Sequence, residues 1–259
     1  QWDLGVNIAH NNNRITSLKD DQDIPKGNMR FSVGHDVDSW YMRKWVGVNP
    51  ENGAPLWESV NEETGEVSTT SVYNDATLQF VGAATPKFQG GFNSAMTYKG
   101  FNLNANFAYQ NGGITYNAAR ELFDSDGAYA SYNQMILKDG WSRWSPENPN
   151  ATHPKAEYNN TSLSNKTSSR YLESTNFLRL RNVTLGYTFS ESLVNKLKLK
   201  GLNVYVSGDN LWTSTKFSGL DPEAAILGND NAVDKAGGGD ATSQYPAPKR
   251  LVFGLNLTF

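Results

Sequence analysis

The sequence predicts an all-β chain whose strands form the wall of a membrane-spanning antiparallel barrel. Three observations carry this expectation. The first is the stretch from Arg250 to Phe259: Leu251, Phe253, Leu255, Leu257 and Phe259 are apolar, and Val252, Gly254, Asn256 and Thr258 between them are small or polar. Period 2 puts the two sets on opposite faces of one strand. In water such a long apolar edge invites aggregation; in a barrel one face meets lipid and the other the lumen. The second is length, since each strand pattern equals or exceeds the roughly 9–11 residues that cross a bilayer with tilt. The third is that short and long connections alternate, as turns on one side of a membrane and loops on the other do.

Seven strands are expected in order: about 2–12, 30–46, 87–98, 101–111, 176–189, 201–215 and 248–259. In the first, Trp2, Leu4, Val6 and Ile8 share a face. The second slips its alternation near His35-Asp36. In the fourth, Phe101, Leu103, Ala105, Phe107 and Tyr109 face one way and Asn102, Asn104 and Asn106 the other. Lys99-Gly100 between the third and fourth is a two-residue hairpin connection. The shorter connections are 13–29, 99–100 and 190–200; the longer are 47–86, 112–175 and 216–247, all on the expected outer side. Short helices are expected within 118–139 and near 190–198. Seven strands leave both sheet edges open, and lipid does not tolerate unpaired edge groups. Residues 1–259, starting directly in strand pattern, are therefore expected to be the C-terminal part of a longer barrel.

Composition narrows the function. A net charge of -3 gives no basic field for nucleic acid. With no cysteine there is no disulfide, thiolate metal site or cysteine nucleophile in the chain. His10, His35 and His153 lack metal-ligand spacing and are expected on the surface or in the lumen. Asp20-Asp21 and Glu62-Glu63 read as solvated loop charge. Gly237-Gly238-Gly239-Asp240 lacks the strand and lysine of a phosphate loop and reads as a flexible loop. Asp221-Pro222-Glu223 reads as a turn that needs no cation. Neither an enzyme nor a cofactor is expected.

Three stretches, in this order, resemble the SusC/RagA-like TonB-dependent outer-membrane transporters of Bacteroidota. They are Asn176 to Tyr187 (NFLRLRNVTLGY), Val204 to Thr213 (VYVSGDNLWT) followed by Gly219-Leu220-Asp221-Pro222-Glu223, and Tyr245-Pro246-Ala247-Pro248-Lys249-Arg250 leading into the last strand. Thr85 to Phe92 (TPKFQGGF) is similar to an earlier strand entry of the same family. The resemblance implies a segment of a 22-stranded barrel in the bacterial outer membrane. It implies as partners an N-terminal barrel and plug polypeptide, a SusD-like surface lipoprotein as lid, and TonB–ExbB–ExbD acting through the plug. The cargo it implies is an oligosaccharide, or in some members a peptide.

Ligand contacts are expected where aromatic faces and small polar clusters face water, because sugars stack on the former and bond the latter. Trp141, Arg143 and Trp144 in the longest outer loop, Trp57 in the first, and Asn102, Asn104 and Asn106 on the lumen face are the candidates. Loop packing or interfacial anchoring is the alternative for the tryptophans. Trp2, Phe88, Phe92, Phe101, Tyr187, Phe189 and Phe259 are assigned to lipid-facing girdles, and Phe259 also to barrel assembly. A soluble β-sandwich glycan-binding module is the competing class. A barrel enzyme would need a clustered acid–base site.

Overall fold

The computed structural model describes residues 1–223 and 245–259. In chain order the strands are β1 (Trp2–His10), β2 (Ile24–Lys26), β3 (Met29–Phe31), β4 (Ser39–Arg43), β5 (Trp45–Val48), β6 (Pro55–Val60), β7 (Val67–Thr70), β8 (Leu78–Ala83), β9 (Phe88–Tyr98), β10 (Phe101–Asn111), β11 (Ile114–Tyr116), β12 (Leu172–Ser174), β13 (Phe177–Thr188), β14 (Gly201–Thr215) and β15 (Arg250–Thr258). Two short helices, α1 (Ala118–Phe123) and α2 (Glu191–Lys196), fall where the pattern predicts them. Among the described residues no helix is long and apolar enough to cross a membrane, which says nothing of crossing by strands.

Six of the strands form one antiparallel sheet in the order β1-β9-β10-β13-β14-β15. Its register sorts the side chains into rungs. One rung runs Trp2, Met96, Leu103, Leu185, Val206, Phe253 across all six strands. Another, of opposite parity, runs Gly5, Asn93, Asn106, Asn182, Asp209, Arg250. Directly opposed residues share a face and successive residues alternate, so the sheet has one apolar and one polar surface. The apolar face is open: Val6, Ile8 and Phe253 keep 70 %, 67 % and 80 % of their surface. At the hairpin end that face carries an aromatic belt, with Phe101 and Tyr187 rings 4.7 Å apart and Tyr187 and Phe189 4.9 Å apart.

The second strand expected from sequence, 30–46, is not a member of this sheet. Its alternation breaks at Gly34-His35-Asp36, and the segment folds instead into β3, β4 and the start of β5, which belong to two small sheets, β2-β3-β4-β8 and β5-β6-β7. The consequence strengthens the argument that predicted the barrel. The connections between successive strands of the large sheet are now 11–87, 99–100, 112–176, 189–200 and 216–249: three long ones at one end and two short ones at the other. The tightest, Lys99-Gly100, has φ of 47° and 85° at its two residues, the paired positive values of the hairpin turn whose twist matches its strands.

The first two long connections pack on each other as a unit above one rim of the sheet. Met29, Trp40 and Met42 from the first meet Tyr116 and Tyr171 from the second in one apolar core, and the Trp40 indole donates to the Ile114 carbonyl at 3.0 Å. Trp45 N–H donates to Ser169 Oγ at 2.8 Å and Tyr73 hydroxyl to the Thr167 carbonyl at 2.7 Å. The unit is tied to the strand ends where Gln110 Nε2 donates to Thr175 Oγ1 at 3.0 Å and Gly112 N–H to Asn176 Oδ1 at 2.7 Å.

Candidate functional site

Two surfaces can meet a solute: the polar face of the large sheet and the loop unit at its rim. On the polar face, Asn102, Asn104, Thr184, Asn203, Tyr205 and Asn256 line a groove of about 520 Å³. Asn102 accepts from Thr97 Oγ1 and donates to Thr188 Oγ1, each at 3.2 Å. Asn106 shares a rung with Asn182, whose amide donates to Ser207 Oγ at 2.9 Å and Asp209 Oδ1 at 2.7 Å, while Arg250 Nε donates to Asp209 Oδ2 at 2.9 Å. This is a polar surface of short amides and hydroxyls with a cross-strand ion pair.

Beyond Asn106 the register shifts on both sides of β13, at Leu180/Asn182 and at Asn106/Phe107. Such a bulge re-aims the side chains that follow it, and here it brings Arg179 onto the polar face. Arg179 forks onto Asp221 (Nη2–Oδ1, 2.5 Å) and Glu223 (Nη1–Oε2, 2.9 Å), and Arg181 joins Glu223. Asp221-Pro222-Glu223 is thus a turn, as expected, but its carboxylates are taken up by arginine. Burial raises Asp221, and the Arg179 hydrogen bond and charge together with the backbone N–H groups of Glu223 and Ala247 outweigh it, leaving that carboxyl below its ordinary range.

The centre of the loop unit is a buried ionic cluster that the sequence did not announce. Asp124 Oδ2 lies 2.8 Å from His153 Nε2, 3.3 Å from Arg120 and 3.6 Å from Arg170. Asp126 binds Arg170 at 2.5 Å and Arg143 at 2.6 Å and accepts from Ser164 Oγ. Glu173 binds Arg120 at 2.9 Å. Three guanidiniums face three carboxylates, so the arginines are matched one for one, as burial requires. Burial works to raise Asp124, but the His153 hydrogen bond and the Arg170 charge win and hold it at about 2. Burial alone would lower Arg170; the neighbouring Tyr171 and Asp126 keep it above its ordinary value. Burial pushes the hydroxyls of Tyr116 and Tyr171 well up, so both stay neutral.

The predicted site residues separate into three places. Arg143 is a member of the ionic cluster. Trp141 lies over it, partly buried, with its ring 4.9 Å from that of His153, 4.4 Å from the Arg120 guanidinium and 4.2 Å from Lys138 Nζ. Trp144 bridges the two connections: its indole donates to the Pro50 carbonyl at 3.0 Å, and its ring covers Gly53, where φ is +73° and a Cβ would collide with it. Trp57 is corrected from a ligand contact to a packing residue, since it is 0 % exposed between Trp45 and Tyr73. His153 is corrected from a surface or lumen histidine to a buried one. Asn102, Asn104 and Asn106 stand on β10, apart from the tryptophans. Phe259 follows the end of β15 and is exposed. The triple glycine, Asp240 and most of the last outer connection lie outside the described residues. Among the described residues no group of three or more His, Asp or Glu gathers to hold a metal ion.

An antiparallel sheet with opposed apolar and polar faces, short turns at one end and a folded loop unit at the other has the form of a transmembrane β-barrel wall. No protein-family model matches the chain. Curated relatives do match over its whole length. TonB-dependent receptor P3 of Formosa agariphila is 28 % identical over 282 residues, TonB-dependent receptor P39 of the same organism 32 % over 307, and TonB-dependent receptor SusC of Bacteroides thetaiotaomicron 28 % over 275. The chain spans only 27 %, 28 % and 24 % of their respective lengths. Among solved structures, the RagAB peptide transporter matches with a TM-score of 0.74 at 28 % identity, and the RagAB peptide importer in its closed-closed state with 0.75 at 28 %. Each covers all of this chain and 27 % of the matched chain. The chain is similar, from end to end, to about a quarter of TonB-dependent receptors that include SusC.

Proposed function

We propose that the chain supplies part of the outer-membrane barrel of a TonB-dependent importer of SusC type. The observation that carries this is the separation of mainly apolar from mainly polar rungs in the six-stranded sheet, with every long connection at one end. Such a sheet is stable in lipid only when its edges are paired, so β1 and β15 take further strands of the same receptor, and an N-terminal plug closes the lumen. No bond chemistry is involved. A SusD-like lipoprotein closes over the loop unit, a step that cargo drives only by binding the closed state better than the open one. TonB–ExbB–ExbD acts on the plug, and cargo passes along the amide-rich face of Asn102, Asn104 and Asn106. Trp141 and Trp144 meet cargo at the mouth; Arg143 and Trp57 hold the loops that present them.

The cargo proposed is an oligosaccharide, for which stacking on indole and hydrogen bonding to asparagine are suited. A peptide is the second reading, favoured by the likeness to the RagAB peptide transporter. Uptake of labelled oligosaccharides and labelled short peptides is to be compared in cells with and without the receptor, and with and without TonB. Receptor- and TonB-dependent uptake of either class supports import and names the cargo. Equal uptake of both classes in all strains contradicts it.

A further inference from the structure

Arg30 and Arg43 of the loop unit each have a buried Nε with no hydrogen-bond partner, as Arg120 also has, and Arg30 and Arg43 line one half-open cavity. Arg120, Arg170 and Arg179 each meet carboxylates within 3.3 Å. Arg30 and Arg43 do not. Arg30 has a single distant counter-charge, Asp23 at 3.6 Å. Arg43 has no ion pair among the described residues. The Nε of each is buried with no hydrogen-bond partner. Arginine cannot shed its charge, and a guanidinium presents five donors in a planar fork. Donors left buried and unmatched are costly.

The geometry shows what holds them. Met29, Trp40 and Met42 point into the apolar core, so the alternate residues Arg30, Tyr41 and Arg43 are on the other side of β3 and β4. The Arg30 guanidinium lies 3.6 Å from the centre of the Tyr41 ring, and that of Arg43 lies 4.4 Å from the centre of the Tyr73 ring. Stacking of this kind fixes a guanidinium plane while leaving its N–H edge available. Tyr73 is itself fixed by its bond to Thr167. Arg30, Arg43, Tyr41 and Tyr73, with Asn28 and Thr167, line a cavity of about 280 Å³. That is near the lower end of small-ligand pockets, room for one residue or one sugar ring and not for an extended chain.

We infer that this cavity is a subsite for a carboxylate on the cargo, held by the forked donors of Arg30 and Arg43. The inference rests on the import reading only in taking that anion to belong to the cargo. A peptide brings its C-terminal carboxylate or an acidic side chain; an oligosaccharide brings a uronate. Guanidinium–carboxylate pairing in a partly buried site is directional and charge-assisted, so the neutral form of the same molecule binds less well.

The test is calorimetry on the full-length receptor in detergent with four probes: a tripeptide with a free C-terminus, its C-terminal amide, a diuronate and the corresponding neutral disaccharide. At least one acidic probe is expected to bind tenfold or more tighter than its neutral counterpart, and which one does so identifies the source of the carboxylate. The Arg30→Met, Arg43→Met receptor is expected to lose that preference while melting normally. Should it misfold, Arg43→Lys, which keeps the charge but loses the fork, is expected to reduce the preference at least threefold. Equal binding of acidic and neutral probes, no binding of any, or an unchanged preference in a folded variant overturns the subsite. Energy-dependent uptake measured in parallel separates the two readings: uptake that persists without an acid preference leaves import standing and removes only the subsite.

Discussion

Asp124 shows how single residues decide the shape of the outer loops. A carboxyl shifted from 3.8 to about 2 in the folded state contributes about 2 kcal/mol. The sign follows from the depressed value: the contribution is complete above pH 4 and is lost as pH falls through 2. Limited pepsin digestion from pH 4 to pH 2 should therefore show cleavage within 118–171 rising across that window. In Asp124→Asn the segment should already be sensitive at pH 4, because removing one partner of a buried pair costs about 3–5 kcal/mol. A flat digestion profile shared by both proteins would remove the cluster from its structural role. Trp141 and Trp144 pose a different question, since each packs against the loop unit and is only partly buried. Changing both to Ala should weaken cargo affinity severalfold with folded receptor levels unchanged; unaltered affinity would return both to packing alone.

At the scale of elements, the strands of the large sheet were legible and the loop unit was not, for a physical reason. A strand with lipid on one side and water on the other must alternate strictly, so β1, β10, β14 and β15 lie within one or two residues of where the pattern puts them. The same pattern misplaced 30–46. Trp40 and Met42 alternate with Tyr41 and Arg43 because β4 also has two unlike faces, a protein core and an arginine-lined cavity. Period alone does not distinguish a core from a bilayer. The ionic cluster was illegible because, apart from the i,i+4 pair Arg120–Asp124, its members at 126, 143, 153, 170 and 173 are brought to it only through the fold, and His153 alone gave no spacing to read. The last strand carries its own prediction. If Phe259 contributes to assembly, Phe259→Ala should lower the fraction of heat-modifiable folded barrel in outer membranes several-fold, and a normal fraction would dismiss that role.

The whole molecule is defined by its two faces. Leu103 and Asn104 are neighbours in β10 on opposite sides of the sheet, within rungs that run Trp2 to Phe253 and Asp3 to Val252. A lysine facing lipid near the midplane costs about 2–4 kcal/mol, whereas one facing the lumen is tolerated. Leu103→Lys should accordingly deplete folded receptor and Asn104→Lys should not, by quantitative blotting of outer-membrane fractions. The most direct test uses the absence of cysteine from this chain. Single cysteines are placed at Val6, Leu103, Val206 and Phe253, and at Asn104, Thr184 and Ser207, and each is exposed in intact outer membranes to a charged maleimide and to a lipid-soluble one. Lumen-side positions should react with the charged reagent and the others only with the lipid-soluble reagent, in strict alternation along β10 and β14. Reaction of both sets with the charged reagent would place water on both faces, and the sheet would then be that of a soluble binding module.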